Sequence, residues 1–252
     1  MGYLAALFMG FVLGLLGGGG GILTVPILVG FFGLTATEAT GSSLLVVGLT
    51  SIVGAAQGFL KKQVVISSAL LLAIPSVVGA ITARKFLVPS IPSQIIGLSK
   101  DQVLLGAFSI LMIIVGFKML AKKKEGPEPK HNPLLVVAYG LGIGLLSGTL
   151  GAGGGFLILP VLTLLLSIEL EKAIPTSLTV ISIQSLGGFT GELGKPINWS
   201  LLITIAGIAL FGLVAGLLLR EKAPRKTLQL AFAYLVFAVA IWMIVKISLN
   251  HS

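Results

Sequence analysis

The chain has 252 residues, of which 56% are hydrophobic and only 10% charged, and its formal net charge is +9. A soluble domain of this length carries roughly a quarter charged residues, so the composition is that of a protein solvated by lipid. Cysteine is absent, which excludes disulfides, thiolate catalysis and Cys-ligated metals.

The N-terminal segment MGYLAALFMGFVLGLLGG has no basic leader and no small-residue cleavage pattern, so it reads as part of the mature fold. Ala6 stands where an N-myristoylation signal needs Ser or Thr. Apolar blocks then follow at 3–32, 36–60, 64–86, 103–120, 134–166, 173–191, 199–219 and 228–247. The basic residues sit between these blocks without interleaved aromatics. They read as topology signals and lipid-headgroup contacts, so the expected partner is the bilayer and not nucleic acid. His131 and His251 lie in a polar linker and in the C-terminal tail, with no metal-ligand partner at helical spacing, so neither a metal nor a cofactor is expected.

The run KKKEGPEPKHN divides the chain into an N-terminal transmembrane half (1–124), a linker (125–132) and a C-terminal half (133–252) of one membrane domain. The halves match at an offset of about 134 residues. GLLGGGGGILTVPIL (14–28) aligns with GTLGAGGGFLILPVL (148–162), which puts Pro26 on Pro160 and Gly17 on Gly151. ATGSSL (39–44) falls on AIPTSL (173–178), and Lys61 falls on Lys195. After a small shift Arg84 meets Arg220, and the first half carries an extra loop, LVPSIPSQIIG. Duplication of this kind is a mark of secondary transporters.

The first block of each half is interrupted by glycine. Its flanks in the first half would be about 21 and 16 Å long as helices, each too short for about 30 Å of hydrocarbon. They form either one broken helix or a hairpin that returns to its own side. A single crossing gives parallel repeats and divides the 17 Lys and Arg residues 9 to 8 between the two faces. A returning block gives inverted repeats. Twelve basic residues (Lys61, Lys62, Lys118, Lys122, Lys123, Lys124, Lys130, Lys172, Arg220, Lys222, Arg225 and Lys226) then share one face, against five (Arg84, Lys85, Lys100, Lys195 and Lys246) on the other. The uneven split is what the positive-inside rule expects. The predicted fold is therefore an all-α polytopic membrane protein of two inverted repeats. Each repeat is a glycine-broken re-entrant or broken helix pair plus three transmembrane helices, in a multi-pass inner-membrane chain with both termini outside the cytoplasm.

Gly17, Gly18, Gly19, Gly20 and Gly21 make a poor helix interior, each costing roughly 1 kcal/mol relative to Ala. Gly151, Gly153, Gly154 and Gly155 form the matching break. Each break is followed by a proline, Pro26 or Pro160. Irregular backbone at membrane depth is tolerated only where protein or a watery cavity satisfies it. Half-helices starting near Ile22 and Phe156 would point free N–H groups and positive dipole ends at one cavity, an anion site made mostly of backbone. Scattered glycines such as Gly48, Gly54, Gly79 and Gly207 read instead as close helix packing. The second block of each half supplies hydroxyl donors: Ser42 and Ser43, then Thr176 and Ser177. The competing role for these is hydrogen bonding within or between helices. Gln57, Gln184 and Glu192 are the candidate coupling groups. Glu192 is the one carboxylate tight against the end of an apolar block, beside Lys195.

The two glycine motifs, ATGSSL, AIPTSL and GKPINW (194–199) together resemble the TauE/SafE family of sulfite exporters, also called the 4-toluene sulfonate uptake permease family. The resemblance covers nearly the whole chain. Gly41 is replaced by Pro175 in its own repeat, and LKKQVV lacks the Trp that Trp199 supplies. The resemblance implies a secondary transporter of small sulfur-containing anions: sulfite, organosulfonates or thiosulfate. It leaves the substrate and the oligomeric state open. An anion channel and a non-transporting membrane subunit or sensor are the alternatives. No Ser/His, paired-Asp or HExxH arrangement lies in the apolar blocks to suggest an enzyme.

Overall fold

The computed structural model describes residues 1–16, 19–95, 98–120, 133–151, 153–220 and 225–249. The chain is a helical bundle, because lipid offers no hydrogen bonds and only helices satisfy their own backbone along long apolar runs. In the first half run α1 (Gly2–Leu16), a 3₁₀ turn (Gly19–Leu23), α2 (Thr24–Phe31), α3 (Ala36–Leu60) and α4 (Ile66–Thr82). A π turn (Ala83–Leu87) leads to a short α5 (Val88–Ser90), and α6 (Lys100–Leu120) closes the half. The second half comprises α7 (Pro133–Leu150), α8 (Gly155–Pro160), a π turn (Val161–Leu165), α9 (Leu170–Phe189), α10 (Trp199–Arg220) and α11 (Arg225–Leu249).

Four of these segments, Ala36–Leu60, Ile66–Ser90, Pro133–Leu150 and Trp199–Leu219, are long and apolar enough to cross a membrane. Large apolar side chains such as Phe211, Phe117 and Ile74 lie on the outside, while Arg84, Gln184 and several serines are fully buried. That is the reverse of a soluble surface and the arrangement lipid requires. Strand occurs among the described residues only in the extra loop of the first half. There β1 (Gln94–Ile95) and β2 (Leu98–Ser99) form a two-residue antiparallel pair.

The first apolar block is a hairpin and not one broken helix. Thr24 Oγ1 donates to Met9 Sδ at 2.9 Å, Gly20 lies against Leu13, and the Phe32 ring meets Tyr3 edge-on at 5.5 Å. The returning leg ends where Lys246 Nζ donates to the Val29 carbonyl at 3.0 Å, a cation on the exposed carbonyls of a helix end. α3 then starts at a capping box in which Thr35 and Glu38 exchange hydrogen bonds. Thr37 donates to Asp101 at the start of α6, which ties two helix starts together.

Between the halves α1 lies along α10, α7 along α4, α3 crosses α9, and α6 packs on α11. Exchanging the halves maps this set of pairs onto itself. Gly10 and Gly14 press on Ala209 and Leu213, and Gly144 and Gly148 on Ser76 and Ala80, so both of these pairs run parallel. Each pair of glycines is spaced as small-xxx-small, which lets helix backbones touch. Along α3 and α9 the order reverses: Gly41 meets Glu192, Gly48 Leu186, Gly54 Leu178 and Gly58 Pro175. The two equivalent helices are therefore antiparallel, and Gly48, Gly54 and Gly79 pack closely as expected. Gly207 faces open space instead.

Because backbone oxygens stand where a side chain at Gly10 or Gly144 would go, overpacking has no flexible neighbour to absorb it. Gly144→Leu is expected to lower stability by about 2–3 kcal/mol or more, read as a fall in melting temperature in detergent. Gly207→Leu should leave the melting temperature within a degree or two of wild type.

Candidate functional site

The two glycine breaks fold differently. Gly19, Gly20 and Gly21 form the start of the 3₁₀ turn that feeds α2, with Gly20 and Gly21 buried, whereas Gly17 and Gly18 lie outside the described residues. Pro26 is the third residue of α2, where a missing N–H costs nothing. In the second break Gly151, Gly153 and Gly154 have φ of +71, +66 and +66°, a left-handed path that residues with a Cβ avoid. Gly155 opens α8, and Pro160 ends it by removing a helical donor, after which the backbone widens into the π turn. The 3₁₀ turn of the first break touches α8, so the breaks meet inside the bundle.

The second break is wedged between the crossing helices. Gly151 sits on Thr40 and Ser43, Gly153 on Val47 and Ile181, and Gly154 under the amide of Gln184. A Cβ at Gly154 would stand 2.8 Å from Gln184 Nε2 and 3.3 Å from the Ser147 Cβ. Among the described residues both polar atoms of the buried Gln184 amide lack a hydrogen-bond partner, as do the buried hydroxyls of Ser147, Ser51 and Ser185. Ser51 and Ser185 occupy matching positions in the two halves. Helix α2 has eight residues and α8 six, so side-chain donors rather than two long helix dipoles dominate this site.

The expected hydroxyl ligands divide. Ser43 donates to the carbonyls of Thr40 and Gly151, fastening α3 to the second break. Ser177 donates to Ile174. Thr176 donates to Lys172 and accepts from the Val65 amide at 3.0 Å. These three therefore serve the backbone. Ser42 instead lines a cleft of about 220 Å³ with Thr37, Glu38, Phe189, Glu192 and Lys195. At the other end of the α3–α9 pair the position matching Ser42 is Thr176, and it is fully buried. There Gln63 Nε2 donates to Glu171 at 2.8 Å and Gly58 lies on Pro175. The Ser42 position thus opens to a cleft and its repeat counterpart is covered.

The three coupling candidates are not brought together. Gln57 lies toward the covered end of α3 and Glu192 at the open end of α9, with Gln184 between them. Glu192 is buried, and its Oε1 accepts from Lys195 Nζ at 2.9 Å. The same oxygen lies 3.3 Å from an Arg84 nitrogen, and Arg84 is fully buried. Sequence reasoning counted Arg84 as a surface topology charge. A usable signal was present: beyond Lys85 the apolar sequence resumes with Phe86, Leu87 and Val88, so the arginine does not stand at its edge. Ser147 was missed because its counterpart in the first half is Leu13.

A family model described as "Sulfite exporter TauE/SafE" matches residues 3–243. A Xylella fastidiosa protein named a probable membrane transporter protein is 32% identical over 249 residues, covering 94% of this chain and 91% of its own. The Bacillus subtilis probable membrane transporter protein YunE is 25% identical, with 94% of each chain covered. A Methanocaldococcus jannaschii protein of the same printed description is 30% identical over 74% of this chain and 71% of its own.

Ser43→Ala removes the hydroxyl that joins α3 to the Gly151 carbonyl. It should cost about 1–2 kcal/mol, seen as a lower thermal midpoint in detergent. Ser42→Ala, at the open cleft, should change stability by no more than about 0.5 kcal/mol.

Proposed function

The chain belongs to the sulfite exporter TauE/SafE family, and on that premise we propose that it is a secondary transporter of small sulfur-containing anions. The proposed substrates are sulfite or organosulfonates, with thiosulfate as a further candidate. The substrate lies between the two glycine breaks at the α3–α9 crossing, and the protein works as a carrier, not an enzyme, in the inner membrane.

One observation carries this reading: Gln184, Ser147, Ser51 and Ser185 keep buried, unpartnered polar atoms at the centre of an apolar bundle. Each such group costs about 1–3 kcal/mol when left unmatched. An amide and three hydroxyls can donate to sulfonate or sulfite oxygens without a fixed charge that would hold the anion permanently. The left-handed Gly154 brings the backbone under Gln184 and beside Ser147, where a side chain would fill the space.

Inverted repeats suit this site. In their support stand the first-block hairpin, the antiparallel run of α3 and α9, and the exchange of helix pairs between halves. Helix directions also put Lys61, Lys62 and Lys172 at one end of the bundle, and Arg84, Lys85, Lys100, Lys195 and Lys246 at the other. With the nine further basic residues that the inverted-repeat reading of the sequence assigns to the first end, the split is 12 to 5, and the positive-inside rule then makes the second end extracytoplasmic. The cleft at Ser42 and the covered position at Thr176 then correspond to an outward-facing state, which favours alternating access over a channel open at both ends.

Two measurements test this. In proteoliposomes loaded with sulfite, methanesulfonate or thiosulfate, Gln184→Leu should lower flux at least tenfold. Gln184→Glu, which puts a negative charge beside the anion, should lower it further. Normal flux through Gln184→Leu would remove the central site. The natural chain has no cysteine, so Ser42→Cys and Thr176→Cys report the two mouths cleanly. Ser42→Cys should react with an impermeant thiol reagent from outside, and Thr176→Cys should not. A transported anion should slow the first and expose the second to a permeant reagent. Rates that ignore the anion would sink alternating access.

A further inference from the structure

We propose that Arg84 is a second, charged anion site at the open cleft, where a small oxyanion takes the place of the Glu192 carboxylate. The proposal rests on the anion-transport reading and deepens it by naming the cation that draws the substrate out of water.

Arg84 lies on the π turn between α4 and α5, and its side chain is fully buried. Among the described residues its Nε and both terminal nitrogens find no hydrogen-bond partner. Among the described residues its ion contact is one terminal nitrogen to Glu192 Oε1 at 3.3 Å. A guanidinium carries five N–H donors in a planar fork and prefers two parallel bonds to one oxyanion. Held by a single long contact, it is under-satisfied in a place where leaving charged donors unmade is costly.

A purely structural clamp has a claim here. Gly191 packs on the Arg84 Cβ, so the pair fastens the π turn to the end of α9. A clamp, however, gains from two good hydrogen bonds, and this pair makes none. Glu192 Oε1 is instead divided between Arg84 behind it and Lys195 at the cleft wall, whose side chain is 42% exposed. An anion that enters the cleft meets Lys195 first and the Glu192 carboxylate next, with Arg84 beyond. A sulfonate and a sulfite each have three oxygens, enough to engage the guanidinium fork that the carboxylate uses poorly. Released from Arg84, Glu192 keeps Lys195 as its partner. The remaining charge on the cleft is Glu38, whose carboxylate is engaged in the capping box with Thr35. The repeat does not carry the carboxylate to the other end, since the position matching Glu192 in the first half is Gly58.

The experiment titrates purified full-length protein in detergent with methanesulfonate and with sulfite, read by calorimetry and by thermal shift. Glu192→Gln removes the competing carboxylate and should tighten methanesulfonate binding about tenfold. The charge-neutral double variant R84Q/E192Q keeps the packing and should bind at least tenfold more weakly than wild type. Arg84→Lys keeps the charge without the fork and should bind more weakly than wild type but more tightly than the double variant. If the double variant does not fold, Glu192→Gln and Arg84→Lys decide. Wild-type affinity in R84Q/E192Q or in Arg84→Lys, unchanged or weaker binding in Glu192→Gln, or no binding by either wild type or Glu192→Gln would overturn the proposal. Flux separates this from the wider reading. Loss of transport in Gln184→Leu with normal binding and transport in R84Q/E192Q keeps the central site and removes Arg84. Wild-type liposomes that pass none of the sulfur anions remove the transport reading, and the titration then still decides Arg84.

Discussion

Hydrocarbon cannot hydrogen-bond a peptide group or a side-chain amide, and this one limit organises the molecule. It makes every long apolar run a helix, and it forces any break in a helix to lie where protein surrounds it. The glycine breaks obey that rule. The second is covered on one side by Thr40, Ser43 and Val47 of α3 and on the other by Ile181 and Gln184 of α9. The first folds its two legs together, so that the 3₁₀ turn is buried against α1. What the limit does not require is an unpartnered polar group, and the bundle keeps several. Those exceptions are what the proposed anion site is built from.

The crossing of α3 and α9 is the pivot of the arrangement. Glycines along α3 let it approach α9 closely, and the two helices carry the hydroxyls, the Gln184 amide and, at their ends, both mouths. Ser43 serves the scaffold by holding the second break to α3, while Ser42, one residue earlier, turns to the cleft. Adjacent residues thus take separate tasks because a helix places them about 100° apart. The mouths differ although the halves repeat. Gly58 in place of a carboxylate, and Pro175 in place of Gly41, make one end a close apolar contact and the other a charged cleft.

Much of this was legible in the residues. The duplication, the eight apolar blocks and the paired glycine motifs are patterns of composition and spacing, and they lead directly to a membrane-embedded helical bundle. Charge counting chose a returning first block, and the Thr24–Met9 and Tyr3–Phe32 contacts show that hairpin. Less legible was how the polar residues divide between scaffold and site. Ser42, Ser43, Thr176 and Ser177 look alike in the sequence, yet one lines the cleft while the others bond to backbone. Ser147 is hidden because repeat matching directs attention to pairs, and it has none.

Arg84 marks the boundary most clearly. As a letter it is one more basic residue near the end of an apolar block, and a topology count is its natural use. Its burial against Glu192 depends on where α9 ends relative to α4, two segments about a hundred residues apart. By itself the sequence determined the solvent, the helices, the repeat and the place of the breaks, because these follow from local composition and period. Only the tertiary structure decided which polar atoms find partners. Satisfaction of a buried donor depends on distance and angle to a group from another helix, and no linear pattern carries that information.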